Sequence, residues 1–364
     1  MLSGFPHGGK RFKSGMASRP RPPEVPLDLW RRTLDAALAF RALAPWQWMS
    51  DSDIAVLADA SGQPWFASVL GAAGQVYGLV LYRGGGGLGT LKLAMNADGP
   101  ADWEEVRFAQ DGLTVWFGPK SELSKEERDR YAVLGYKPAR GARLAWPSIL
   151  DHRPGLVPWP PDADDVAWLA EALPAVMRFA ELLRAHPGLA DERPQSEFPL
   201  LPVTGPLPDP ANLEWRLWDV APKAPAPRTV RVNDPAIETQ LRALPVSAGV
   251  SWDVDWFYLP EGVVDGGRPY YPKCFQVYET RSGLCLATEL VNATDDIFGQ
   301  AGSQLVRLMF QSGGIPQRVQ VRRPELQAVL QPWMASLGGR VRLTDRLKSV
   351  EAARRSMMQF MGRA

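Results

Sequence analysis

Cysteine and histidine are scarce in this 364-residue chain, which holds two of the first, Cys274 and Cys285, and three of the second, His7, His152 and His186. Neither cysteine sits in a CxxC motif or a Cys/His cluster, which excludes a disulfide scaffold and a thiolate zinc site. No histidine stands at a recognisable spacing from Ser, Cys or another His, so a His-based hydrolase and a His-ligated metal lose their support. The G-x-S-x-G elbow is missing as well. No apolar run approaches the roughly 18 residues of a membrane helix, and the first thirty residues lack a signal-peptide apolar segment. A reduced, cytoplasmic protein with no membrane association is expected.

What is present bounds the class. A chain of 364 residues is longer than one hydrophobic core usually serves, so two domains are expected. The hydrophobic fraction of 45% is that of a globular protein. Forty-one Lys and Arg against 40 Asp and Glu leave a formal charge of +1. No global field therefore draws the protein to nucleic acid or an anionic membrane, and any such affinity must be local. Residues 1–26 carry Lys10, Arg11, Lys13, Arg19 and Arg21 against one acid, Glu24, and read as a disordered basic arm.

From Leu27 the pattern becomes structured. Leu29, Trp30, Leu34, Ala37, Leu38 and Phe40 recur at helical spacing until Pro45. SDIAVLAD, QPWFASVLG and QVYGLVLYRG read as strands, LGTLKLAMN as a short helix and VRFAQDGLTVWFG as a hairpin. Ser124 and Glu127 have the spacing of a capping box. DADDVAWLAEALPAVMRFAELLRA is a long helix with acids in its first turn, where the dipole favours them, and Pro174 is expected to kink or split it. Residues 27–190 thus read as an N-terminal α+β domain and the proline-dense stretch 191–211 as a connector. Residues 212–364 follow as a second domain. Within it, GVSWDVDWFYLP and the hairpin YYPKCFQVYETRSGLCLATELV give three consecutive strands, followed by helix, strand, helix, strand and helix. That is the element order of an RNase H-like α/β fold, a mixed sheet with flanking helices.

Strand alternation sets Trp252, Val254, Trp256 and Tyr258 on one face and Asp253, Asp255 and Phe257 on the other. The two carboxylates then lie roughly 6.5 to 7 Å apart at Cα, close enough to share a divalent ion. RNase H-like polynucleotidyl transferases add a second acid at the end of the fourth strand and a third on a later helix, because two Mg²⁺ ions must stabilise both the attacking and the leaving oxygen. Here the fourth strand ends in Arg322 and Arg323, whose guanidinium groups repel a metal, and Glu325 follows only after Pro324. The simpler reading is an exposed polar strand face, with no catalytic residue and no cofactor. The alternative is a Mg²⁺- or Mn²⁺-dependent phosphoryl-transfer enzyme on Asp253 and Asp255 with Glu289, or with Asp295 and Asp296, which read more simply as acids opening a helix.

YRGGGGLGTLKL matches G-x-G-x-x-G through Gly84, Gly86 and Gly89. It lacks the acid-tipped strand about twenty residues on, GPADWEEV reading as a loop, so a mobile glycine turn is the plainer interpretation. From Leu305 onward eleven bases face three acids. Arg318, Arg322, Arg323, Arg340 and Arg342 fall on or beside two strands, a face that could meet a nucleic acid or an acidic protein. The competing reading pairs these arginines with the stretch 151–219, which holds twelve acids and five bases. The 14 tryptophans are read mainly as core and packing residues.

LWRRTLDAALAFRALAPWQWMSDSDIAVL, GQVYGLVLY, RLAWPSILDHRPGLVPWPPDADDVAWLAEAL, SWDVDWFYLP and GGRPYYPKCFQVYETRSGLCLATELV resemble a family of uncharacterised bacterial proteins with two domains of unknown function. Some of its members stand next to a SEC-C zinc motif. The resemblance covers nearly the whole chain from about residue 27 and implies a bacterial cytosolic protein, with no catalytic residue to carry over. The cysteine-rich SEC-C tail is missing here. The overall expectation is a non-catalytic binding or adaptor module that uses the arginine-rich and aromatic face of its second domain.

Overall fold

The computed structural model describes residues 22–138, 144–190, 194, 196–219, 230, 234–292 and 295–361. It divides into two compact units, residues 1–222 and 223–364. Most of the expected basic arm, residues 1–21, lies outside the described residues.

The first unit contains α1 (Leu27–Leu43), β1 (Ala55–Ala58), β2 (Pro64–Leu70), β3 (Gly78–Arg83), α2 (Gly84–Met95), α3 (Pro100–Ala109), β4 (Gly112–Gly118), α4 (Lys125–Val133), β5 (Trp146–His152), α5 (Ala163–Ala185), β6 (Glu197–Leu201) and β7 (Glu214–Leu217). Its seven strands run in the order β5-β4-β3-β2-β1-β6-β7. All neighbours are antiparallel except β1 and β6. The interior strand β3 is buried along its whole length, because Leu79 and Leu81 join the core built with α1 and α5 while Val80 and Tyr82 join a second core with α2. This two-sided burial explains why GLVLY is an unbroken apolar run rather than an alternating one. Ser124 caps α4 as expected, its hydroxyl accepting from Glu127 N at 3.1 Å while Glu127 reaches back to Ser124 N at 2.8 Å. Helix α5 continues through Pro174 as one element of 23 residues.

The second unit contains α6 (Pro235–Arg242), β8 (Val246–Tyr258), β9 (Lys273–Glu279), β10 (Cys285–Val291), α7 (Ile297–Ser312), β11 (Ile315–Val321), α8 (Pro324–Ser336), β12 (Arg340–Leu343) and α9 (Lys348–Met361). Its sheet order is β10-β9-β8-β11-β12, an antiparallel meander joined to two strands parallel to β8. Helices α7 and α8 bury Leu305, Met309, Leu326 and Leu330 against Trp252, Val254, Val277, Val319 and Val321 on one face. On the other face α9, with the residue preceding it, packs Leu347 and Val350 onto Phe257, Cys274 and Tyr278.

Three expectations are corrected. The stretch 191–211 is not merely a connector, because Glu197–Leu201 pairs in parallel with β1 as β6. Residues 214–217, placed by the sequence in the second domain, form β7 and close the edge of the first sheet. The four glycines are no mobile turn but the opening of α2, and residues 100–109 form a helix before β4. Among the described residues no helix is long and apolar enough to cross a membrane.

Candidate functional site

Strand β8 carries Asp253 and Asp255 on the face covered in part by α9, and both are buried, at 4% and 2% exposure. The expectation of an exposed polar face therefore fails. Alternation holds, but α9 packs on the same face at Phe257, two arginines from beyond β11 engage Asp255, and Thr280 and Gln320 engage Asp253. Asp253 Oδ1 accepts from Thr280 Oγ1 at 2.7 Å and from Gln320 Nε2 at 3.1 Å. Gln320 is its cross-strand neighbour on β11. Burial pushes the Asp253 carboxyl above its ordinary range, and the bonds from Thr280 and Gln320 pull it back only in part.

Asp255 is held differently. Arg323 Nε lies 3.1 Å from its Oδ1 and Arg322 Nε 3.2 Å from its Oδ2. Arg323 also donates to the Trp256 carbonyl at 3.2 Å, and its guanidinium stacks 4.0 Å above the Trp256 ring. The Arg322-Arg323 pair that stands where a metal-binding acid would be needed thus supplies the positive charge for Asp255. Two guanidinium groups, each meeting one carboxylate oxygen through its Nε, satisfy Asp255 as a cation would, without an open coordination position.

Glu289 does not join the pair. In register it sits opposite Phe275, which pairs with Trp256, so it points to the sheet face opposite Asp253 and Asp255 and is bonded there by Gln304. Asp296 caps α7, accepting from Phe298 N at 3.2 Å. No group of three or more His, Cys, Asp or Glu suited to a metal ion occurs among the described residues.

The five arginines split into two sets. Arg322 and Arg323 are engaged with Asp255. Arg318, Arg340 and Arg342 are exposed on the half of the sheet formed by β11 and β12, with Arg318 directly opposite Arg340 and Gln320 opposite Arg342. None of the three forms an ion pair among the described residues. Two of the acids proposed to neutralise them, Asp151 and Asp165, are bound instead to Arg83 and Arg153 of their own unit.

That second cluster escaped sequence reasoning. Arg83, at the end of β3, bonds Asp111 and Asp151 at 2.8 Å each and Asp165 at 3.2 Å, and lies 4.7 Å from the Trp65 ring. Arg153 adds contacts to Asp151 and Asp165. Burial raises the Asp165 carboxyl to about 6, against the pull of Arg83. The G-x-G-x-x-G match now has a structural account. A Cβ on Gly87 would stand 2.6 Å from the Tyr82 carbonyl carbon, and one on Gly86 3.1 Å from Asp111 Oδ2. These glycines let α2 approach β3 and the Asp111 carboxylate, so the anion beside the helix start is the protein's own.

Two mixed sheets, each packed with buried side chains on both faces, and a buried carboxylate pair, Asp255 held by guanidinium groups and Asp253 by Thr280 and Gln320, describe a two-domain α+β protein. Two family models match the chain side by side, residues 30–200 the one described as Domain of unknown function (DUF7309) and residues 237–358 the one described as Domain of unknown function (DUF6930), which is consistent with a two-domain family. No curated protein and no solved structure matches.

Proposed function

We propose that the second domain is a non-catalytic binding module of RNase H-like type that takes an anionic partner on Arg318, Arg340 and Arg342. Three antiparallel strands followed by helix, strand, helix, strand and helix support the fold assignment. The observation that carries the function is the exposed arginine triad. Like charges in cross-strand register repel, so a sheet that keeps Arg318 beside Arg340 without an acid partner among the described residues retains a cost that an anion would remove. The metal-dependent alternative is weakened by Asp255, whose two oxygens each face an arginine, and by Glu289 on the opposite face.

The test is retention on immobilised heparin. The full chain elutes at higher salt than the Arg318→Gln, Arg340→Gln, Arg342→Gln variant, while Arg322→Gln, which lies outside the triad, changes elution far less. Equal elution of the chain and the triple variant would overturn the proposal.

A further inference from the structure

We infer, resting on the reading above, that the anionic partner is the phosphate backbone of a double-stranded nucleic acid, gripped by charge and without contacts to base edges. The three arginines form a compact triangle at Cα, with sides of roughly 4.8 Å across the strands and 6.6 Å along β12. The same face of β11 and β12 also presents Gln320, and it carries no aromatic side chain.

Each alternative occupant needs something this face lacks. A single strand is held by aromatic platforms on which bases stack. An acidic protein needs apolar or aromatic anchors at the centre of its interface, since charge pairs at a rim contribute little affinity. An extended acidic peptide could instead lengthen the sheet at β12, the edge strand. That route is obstructed where Gln331 Oε1 accepts from the Val341 N–H at 2.9 Å, which removes one of the outward backbone donors of this four-residue strand. Duplex backbone binding is the class that runs on charge alone, through release of counterions from the phosphates.

The experiment is fluorescence anisotropy of the full chain with a labelled duplex DNA of mixed sequence, its separated single strand and a poly-glutamate chain, over a salt series. With three phosphates neutralised, the duplex affinity falls with a log-log slope of about −2.7, a loss of about 40-fold between 50 and 200 mM salt. Scrambling the sequence changes nothing. The triple Gln variant loses most of this slope, and Arg340→Lys with Arg342→Lys keeps it, because a lysine still neutralises a phosphate. Tighter binding of the single strand than of the duplex would overturn the inference. Binding of poly-glutamate but not DNA would also overturn it while leaving the anionic-partner reading intact. Binding of none of the three probes would overturn both.

Discussion

Asp165 shows how one residue's surroundings set a pH dependence. Its carboxyl sits in the Arg83 network with Oδ2 buried and without a hydrogen-bond partner, and burial lifts it to about 6. An unfolded Asp titrates near 3.9. The folded state therefore holds the proton more tightly, so this group's contribution to stability is complete below about pH 4 and is lost as pH rises through about 6. The loss is of order 3 kcal/mol from this residue. Asp165→Asn should remove most of that fall, so its urea midpoint changes less between pH 4.5 and 7 than that of the unaltered chain. An identical pH dependence in both proteins would show that Asp165 does not titrate in this window. This network was not legible in the sequence, because Arg83 meets partners 28, 68 and 82 residues away. Nothing local marks those acids as a set. The facing of Asp253 and Asp255 was legible, since alternation along a strand is a local property. Their burial was not, because Arg322, Arg323 and α9 arrive from far along the chain.

At the scale of elements, α2 offers the sharpest contrast. Gly85 has open space around a Cβ, whereas a Cβ on Gly87 meets the backbone of Tyr82 and Asp111 within 3 Å. Gly85→Ala should stabilise the protein by up to about 1 kcal/mol through helix propensity. Gly87→Ala should cost about 1–3 kcal/mol or more, because backbone atoms cannot yield as a side-chain tip can. Thermal unfolding of the two variants tests this, and shifts of the same sign would refute the close-approach account. The same contact explains why GGGG was read as a turn: glycine's local preference is for flexibility, and only tertiary packing reveals the need for a missing side chain. Strand β6 was missed for a related reason. Pro199 and Pro202 suppress its local strand signal, and its pairing with β1 spans more than 140 residues. By contrast β8, β9, β11, α7 and α8 were legible because apolar period and turn residues agree over each segment.

At the scale of the whole molecule, a near-neutral net charge conceals a local division. The acids of the first unit include Asp151 and Asp165, bound to Arg83 and Arg153, while the second unit keeps Arg318, Arg340 and Arg342 exposed. The second unit's buried acids are likewise satisfied from within, Asp253 by Thr280 and Gln320 and Asp255 by Arg322 and Arg323. On this account the carboxylate pair has a structural role, and the interaction surface lies beside it on β11 and β12. Calorimetric titration of Mn²⁺ into the full chain at neutral pH tests that division most directly. No saturable heat is expected, and the Asp253→Ala, Asp255→Ala variant should give the same trace. Saturable Mn²⁺ binding that disappears in the double variant would contradict the account and restore metal-dependent phosphoryl transfer as the function to pursue.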